Sequence, residues 1–146
     1  MKKLRRRNKK NKREKIYNNT PRGSLRLLFN SAKGNNNKRI KKNNSKRDNS
    51  FNIDFNYLVE LYNKQRGLCA YSDIPLQFGN YLEKNWTCSL ERIDVKKGYI
   101  KGNVCLICLE FNTPDYKNIY KYQEEGSSGW NKEKFKMVKM ILEEDK

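Results

Sequence analysis

Positive charge is segregated at one end of this chain, and this asymmetry constrains what the chain can fold into. Residues 1–50 contain 19 Lys/Arg and two acidic residues, whereas residues 51–146 contain 14 residues of each sign. The formal net charge of +17 therefore belongs to the first third of the chain. Hydrophobic residues make up only 36% of the 146 residues, so we expect one domain with a small core and a charged tail.

The basic block predicts a polyanionic partner. Like charges over this length are typical of interaction tails that release counterions, and nucleic acid is the usual partner. A solubilising arm or a nuclear import signal is the alternative, and an anionic membrane fits poorly because no regular apolar stripe is present. The residues expected to contact nucleic acid are Arg5, Arg6, Arg7, Lys9, Lys10, Arg39, Lys41, Lys42 and Lys101.

The compartment follows from what the sequence lacks. No apolar run approaches the ~20 residues of a membrane span, and the N-terminus lacks the apolar region of a signal peptide. We therefore expect an intracellular protein, cytoplasmic or nuclear, with no membrane partner. In a reducing compartment the four cysteines are thiols or metal ligands rather than disulfides.

The first half of the chain reads as a polar arm followed by two helices. Residues 1–19 are mostly Lys, Arg and Asn, and we predict that they are disordered when unbound. Thr20 and Pro21 suit the N-cap and first turn of a helix, which Gly34 and the following asparagines end. Apolar residues at helical spacing predict a second helix over 54–66.

The second half reads as two strands and two helices. Alternation predicts strands at 89–94 and 103–108, joined through a turn at Lys96–Gly98. A helix begins at Leu109 and ends or restarts at Thr113-Pro114. A final amphipathic helix follows Asn131, its expected cap, and its expected buried residues are Phe135, Val138, Ile141 and Leu142.

A long ordered motif runs from Cys88 to Asn112, C-S-L-E-R-I-D-V-K-K-G-Y-I-K-G-N-V-C-L-I-C-L-E-F-N. Together with Cys69-Ala-Tyr-Ser72 before it, the motif resembles the HNH, or His-Me finger, nucleases. The likeness is to a divergent branch, often carried by viruses or phages, with S-L-[DE]-R-I-D followed by G-Y-x-x-[GD]-N-V. It covers about residues 20–112 of this sequence.

The resemblance implies an α+β fold in which a small ββα-metal core is flanked by helices. It puts the core at 88–113, after a helical lead-in at 20–67 and before a C-terminal helix at 130–144. Residues 20–146 would then form the nuclease domain, and residues 1–19 the disordered basic arm.

The resemblance also implies a metal site. In these nucleases one divalent cation faces the scissile phosphate, and the matching ligands here are Glu91 on the first strand and Asn112 on the helix. Oxygen ligands of this kind suit Mg²⁺ or Mn²⁺. Asn103 matches the residue that pins the loop between the strands. The residues that shape this loop are Gly98, Tyr99 and Gly102, and Gly102 is expected in a conformation that other residues resist.

Arg92 stands where most members of the family have a general-base histidine, and this chain contains no histidine. A guanidinium stays protonated, so it cannot remove a proton from water, but it can grip a phosphate oxygen and stabilise charge in the transition state. Divergent members of the family also carry arginine here. The proton acceptor would be a phosphate oxygen, solvent hydroxide, Tyr71, Tyr99 or Lys101. The expected catalytic residues are Glu91, Arg92, Tyr99 and Asn112.

Each of these residues also has a purely structural interpretation. Glu91 and Arg92 could be neighbouring strand residues that face opposite ways. Asp94 is more simply explained as a turn cap than as a metal ligand. Asn112 could be an ordinary polar residue near a helix start. The metal-site hypothesis depends on the ordered set and not on any single residue.

The cysteines do not favour a structural zinc ion. In the family register, the second cysteine of each CxxC pair is replaced, by Ser72 and by Phe111. Strand alternation should also direct Cys105 and Cys108 to opposite faces, whereas zinc needs four converging ligands. If a zinc ion were present, its ligands would be Cys69, Cys88, Cys105 and Cys108.

Three functions remain open at this stage. The first is a divalent-metal-dependent DNA endonuclease encoded by a virus or phage. The second is a catalytically inactive protein of the same fold that binds or packages DNA. The third is a basic protein associated with RNA or the ribosome, which the charged tail supports and the ordered motif does not.

Overall fold

Helices and one two-stranded sheet make up this protein, for which a computed structural model describes residues 2–42, 48–79, 85–112, 130 and 132–144. The coarse prediction of an α+β fold is confirmed. No helix among these residues is long and apolar enough to cross a membrane. The elements are α1 (Lys2–Asn18), α2 (Pro21–Lys41), α3 (Phe55–Lys64), β1 (Cys88–Arg92), β2 (Val104–Cys108), α4 (Leu109–Asn112) and α5 (Lys132–Glu144).

Helix α1 replaces the disordered arm that composition predicts, so that prediction is wrong for Lys2–Asn18. The segment contains neither glycine nor proline, and Lys and Arg are good helix formers. Its last turn also packs closely on α2. A Cβ added to Gly23 would overlap the Tyr17 carbonyl, and Ser24 Oγ donates a hydrogen bond to the Asn18 carbonyl at 2.7 Å. The α1–α2 corner therefore fixes where the basic helix leaves the domain.

Helix α2 begins as expected and ends later than expected. Thr20 is its N-cap and accepts a hydrogen bond from the Gly23 amide at 3.1 Å. The helix continues through Gly34 to Lys41, so the predicted end at Gly34 is wrong. Tertiary contact explains the extension, because the buried Asn36 donates through Nδ2 to the Asn49 carbonyl at 3.0 Å.

Helix α3 supplies the centre of the core. Its N-cap, Asp54, accepts a hydrogen bond from the Tyr57 amide at 2.8 Å. Leu58 is 0% exposed, and burying such a side chain stabilises the fold by about 1.5–3 kcal/mol. The chain turns away after α3 at Gly67, whose φ of +71° suits glycine.

Strands β1 and β2 pair antiparallel, with Cys88 opposite Cys108 and Arg92 opposite Val104. All ten strand residues are buried, so the sheet is covered on both faces. The α2 and α3 helices both contact it.

The C-terminal helix α5 is held by aromatic contacts at its start and is exposed further along. Phe135 packs edge-to-face on Phe111, with ring centroids 4.5 Å apart, and also on Trp130. Ile141 is 58% exposed, so its predicted burial is wrong. The side chains of Val138 and Leu142 lie outside the described residues, as do Asn131 and Thr113-Pro114.

Candidate metal and nucleic-acid site

Glu91 lies in the middle of β1, opposite Cys105 of β2, and is only 1% exposed. Side chains alternate along a strand, so Glu91 shares a face with Ser89, and its neighbour Arg92 faces the other way. Both the Tyr71 phenol and the Cys105 thiol lie close enough to feel the charge of Glu91. The carboxylate is therefore a buried group on one defined side of the sheet.

Asn112, the last residue of α4, reaches back to the first strand. Its Nδ2 atom donates to Ser89 Oγ at 2.8 Å and to the Leu90 carbonyl at 3.0 Å. Because Ser89 and Glu91 share a face, these bonds bring Asn112 to the side of β1 on which Glu91 lies. Both bonds use the amide nitrogen, and a metal would be bound by the other amide atom, Oδ1.

These two side chains offer a hard cation two kinds of oxygen, carboxylate and amide. This donor set suits Mg²⁺, which commonly binds through one or two protein ligands and keeps its other positions for water and phosphate. Among the residues that the structure describes, no group of three or more Cys, Asp or Glu side chains is arranged to hold a metal ion.

Arg92 holds the loop between the strands. Its side chain is 8% exposed, and Nη1 donates to the carbonyls of Val95 and Lys97, each at 3.3 Å. The guanidinium also lies 5.4 Å from the centre of the half-buried Tyr99 ring. Two loop carbonyls therefore depend on this cation. The phosphate contact expected of Arg92 stays a prediction, as does proton transfer by Tyr99.

Asn103 ties the two ends of the same loop together. Its Oδ1 accepts from the Asp94 amide at 2.9 Å, and its Nδ2 donates to the carbonyls of Asp94 and Gly98 at 3.1 and 3.0 Å. Asp94 in turn accepts from the Lys96 amide at 2.9 Å, which is the geometry of a turn cap. Gly102 has a φ of +88°, a conformation that residues with a Cβ resist.

A segment before α3 docks on this loop, and the sequence patterns did not indicate it. Phe51 bridges to Tyr99, and the Asn52 amide donates to the Tyr99 carbonyl at 3.1 Å. Asp48 accepts from the Gly98 amide at 3.0 Å. Hydrogen bonds from Ser50 and then from Gly98 hold the pKa of Asp48 below its usual value, with a smaller effect from the Arg92 charge. The one available signal was Asp48 itself, because an acid is rare in this basic region.

The cysteines divide between the two faces of the sheet. Cys69 Sγ accepts from the Cys108 amide at 3.4 Å, and hydrogen bonds from the Cys108 thiol and from Ser72 lower the pKa of Cys69 to about 5. Burial raises the pKa of Cys88, the cross-strand neighbour of Cys108, to about 12. Cys105 points away from them, towards Tyr71 and Glu91, and burial raises its pKa to about 12.

Eight of the nine basic residues expected to contact nucleic acid lie on α1 or at the end of α2, and the ninth, Lys101, lies in the loop between the strands. The structure describes only the backbone of residues 5–7, within α1. On the two helices the exposed members of the set are Lys9, Lys10, Lys41 and Lys42, and Arg39 is half-buried. The first two belong to α1 and the others lie at the end of α2.

Further basic residues surround α3, and the sequence patterns did not single out two of them. Lys101 is exposed and lies 3.5 Å from the Asp54 carboxylate. The guanidinium groups of Arg22 and Arg26 lie 5.1 and 3.5 Å from the centre of the Phe55 ring. Arginines held over an aromatic ring are ordered cations at the surface. The i, i+4 spacing of these two arginines on α2 was the available signal.

Comparison with known proteins gives a phage relative and no family. No family model and no solved structure matches this chain. Over 79 residues the chain is 39% identical to an uncharacterized 29.0 kDa protein encoded in the dda-modA intergenic region of Enterobacteria phage T4. The match covers 54% of this chain and 29% of the phage protein, so the chain spans less than a third of that relative. The chain is thus similar to a phage protein whose name states no activity.

Proposed function

We propose that this protein is a divalent-metal-dependent DNA endonuclease that hydrolyses phosphodiester bonds with a ββα-metal core of the HNH type. The observation that carries the proposal is the attachment of Asn112 to Ser89 and Leu90, on the side of β1 that carries Glu91. Two residues 21 positions apart, both matched to metal ligands by the motif, thereby approach one face of a strand. Likeness to a phage protein supports a viral origin for the chain.

The proposed chemistry assigns each residue a limited task. Glu91 and the Oδ1 atom of Asn112 would hold Mg²⁺ or Mn²⁺, which neutralises charge on the scissile phosphate when bound. Arg92 keeps the loop beside the site in place through Val95 and Lys97. Since the chain lacks histidine, the attacking water would lose its proton to a phosphate oxygen or to solvent hydroxide, or to Tyr71, Tyr99 or Lys101 in its deprotonated form.

Binding of the substrate is assigned to the basic helices. The exposed lysines of α1 and of the end of α2 would neutralise DNA phosphates and release counterions. This contact is independent of base sequence, because phosphate contacts position a protein on DNA without reading it.

A plasmid-nicking assay tests the proposal. Supercoiled DNA is incubated with the wild-type protein in Mg²⁺, in Mn²⁺ and in chelator, beside Glu91→Gln and Asn112→Ala. The matched controls are Glu60→Gln and Asn63→Ala, which change the same residue types at exposed positions of α3. We expect nicking that needs metal, that both site variants abolish and that both controls retain.

Binding without cleavage is the second candidate, and the burial of Glu91 favours it. A carboxylate that is 1% exposed must become accessible to bind a metal that also contacts DNA. If the wild-type protein binds DNA with strong salt dependence but nicks none in any metal, the chain is a DNA-binding or DNA-packaging protein of this fold.

A further inference from the structure

A cavity of about 380 Å³ lies between the α1–α2 corner and the start of β1. Its volume falls within the range of small-molecule pockets, about 300–1,000 Å³. Its walls come from the end of α1, from α2, and from Gly79, Thr87 and Cys88. It lies away from Glu91, which faces the opposite side of the sheet from Cys88.

The α1–α2 corner, which forms part of the cavity wall, is closely packed. Gly23 allows α2 to lie directly against the Tyr17 carbonyl, and Ser24 Oγ donates to the Asn18 carbonyl at 2.7 Å. On the far wall, a Cβ added to Gly79 would lie 3.3 Å from Asn19 Cβ.

The lining combines an apolar wall with neutral hydrogen-bonding groups. Leu27 and Leu28 supply the apolar part, and Leu27 is 46% exposed although it is large and hydrophobic. Asn18, Asn19, Ser31 and Thr87, which carry amide and hydroxyl groups, also line the cavity. Amides and hydroxyls can donate to and accept from the edge of a base, and aliphatic side chains can pack on its flat face.

Charge distinguishes between possible ligands. Among the described residues that line the cavity Lys15 is the one charged residue, and Lys12 lies one turn away on the same side of α1. A free nucleoside triphosphate would need more cations at the pocket itself. A polynucleotide strand suits this arrangement, because the cations of α1 can bind the phosphates of the strand while one of its bases enters the pocket.

We infer that this cavity binds one unstacked base of a single-stranded or locally opened nucleic acid whose phosphates lie along α1. The inference rests on the proposed nucleic-acid function and extends it, since it assigns a base-binding site separate from the site of cleavage. The pocket accepts the base by packing and hydrogen bonding, and α1 binds the adjoining phosphates.

The test fills the pocket without removing charge. Ser31→Phe adds a ring at an exposed lining position, and Asn30→Phe adds the same ring to the neighbouring exposed residue of α2, which does not line the cavity. Circular dichroism and thermal unfolding establish that both variants are folded. Affinity is measured by fluorescence anisotropy for oligothymidylate and for an abasic oligonucleotide of the same length.

We expect Ser31→Phe to weaken oligothymidylate binding about tenfold, because the ring takes the space of the one base that enters the pocket, and to leave the salt dependence unchanged. Asn30→Phe should bind as the wild-type protein does. On the abasic oligonucleotide, which keeps every phosphate, the effect of Ser31→Phe should disappear.

Three results would overturn the inference. The first is that Ser31→Phe and Asn30→Phe bind oligothymidylate with equal affinity. The second is that Ser31→Phe loses as much affinity for the abasic strand as for oligothymidylate. The third is that free thymidine monophosphate displaces the oligonucleotide at comparable affinity, which would make the ligand a mononucleotide. Each leaves the proposed nuclease function intact if the wild-type protein still nicks DNA. Failure of the wild-type protein to bind any nucleic acid would instead remove both proposals.

Discussion

Replacing Gly98 by alanine tests how the segment before α3 docks on the loop between the strands. A Cβ at Gly98 would lie 2.9 Å from the amide nitrogen and carbonyl carbon of Ser50, and closer still to the Ser50 oxygen. These are backbone atoms, so the clash cannot be relieved by turning a side chain. The Ser50 segment must move away, which loosens the hydrogen bonds from Gly98 to Asp48 and from Asn52 to Tyr99, now 3.0 and 3.1 Å.

The expected cost follows from overpacking. Forcing extra volume into a packed contact destabilises a fold by about 1–3 kcal/mol. For a chain of this size, each kcal/mol shifts the Tm by about 2–4 °C, so Gly98→Ala should lower the Tm by about 2–12 °C. Thermal unfolding followed by circular dichroism measures the shift.

Gly34→Ala is the matched control and should change stability in the opposite direction. No atom lies within 4 Å of a Cβ added there, and Gly34 is inside α2. Alanine in a helix interior is favoured over glycine by about 0.5–1 kcal/mol, so the Tm should rise by about 1–4 °C. If Gly34→Ala destabilises the protein, the helix ends at Gly34 and the structure of α2 is wrong. If Gly98→Ala is silent, Ser50 does not lie on Gly98.

The remaining predictions concern a buried cation, an acidic cap, the core and the basic helix. Arg92→Met removes the donor to two loop carbonyls and should lower the free energy of unfolding by about 1.5–3 kcal/mol, measured by urea denaturation; unchanged stability would contradict a loop-holding role. Asp48→Asn should lower the Tm at pH 7. Because the pKa of Asp48 is lowered in the folded state, its stabilising effect disappears when it is protonated, and the Tm difference between variant and wild type should shrink as the pH falls below about 3.8. A Tm difference that stays constant with pH would contradict a stabilising role of the ionised carboxylate. Leu58→Ala should cost about 2–5 kcal/mol in the same denaturation assay, and a decrease under about 1 kcal/mol would mean that α3 is not packed on the sheet. Replacing Lys9 and Lys10 by Gln should make the slope of log affinity for DNA against log salt concentration shallower by about 0.9 for each phosphate that the protein no longer neutralises. An unchanged slope would mean that α1 is not part of the DNA interface.

Sequence patterns predicted the strands and one helix cap, which are determined by residues close together in the chain. Alternation predicted strands at 89–94 and 103–108, and the structure has them at Cys88–Arg92 and Val104–Cys108. The cap Thr20 was predicted because its side chain bonds an amide three residues away. Side-chain alternation likewise separates Cys105 from Cys108.

What the patterns missed depends on contacts that are distant in sequence. Helix α2 passes Gly34 because Asn36 is bonded to Asn49, beyond any local signal. Phe51 and Tyr99 meet across 48 positions, and no propensity scale indicates that pairing. The hydrogen bonds of Arg92 to two loop carbonyls were likewise not predicted, and its expected phosphate contact stays a prediction.

The candidate site was only partly predictable for the same reason. The motif named Glu91 and Asn112, but the burial of Glu91 arises only when β1 pairs with β2 and is covered on both faces. The cavity beside the α1–α2 corner could not be foreseen, because the sequence predicted no helix at α1.

The most direct test of the proposed site is the rate of single-turnover cleavage of a labelled DNA duplex as the Mg²⁺ concentration is raised. If Glu91 and Asn112 hold the metal, Asn112→Ala should require much more Mg²⁺ to reach half of its maximal rate, and Asn63→Ala should follow the wild-type curve. Glu91→Gln should show no cleavage at any Mg²⁺ concentration. A cleavage rate that does not depend on Mg²⁺, or Mg²⁺ curves for the Asn112→Ala and Asn63→Ala variants that coincide, would contradict the metal site.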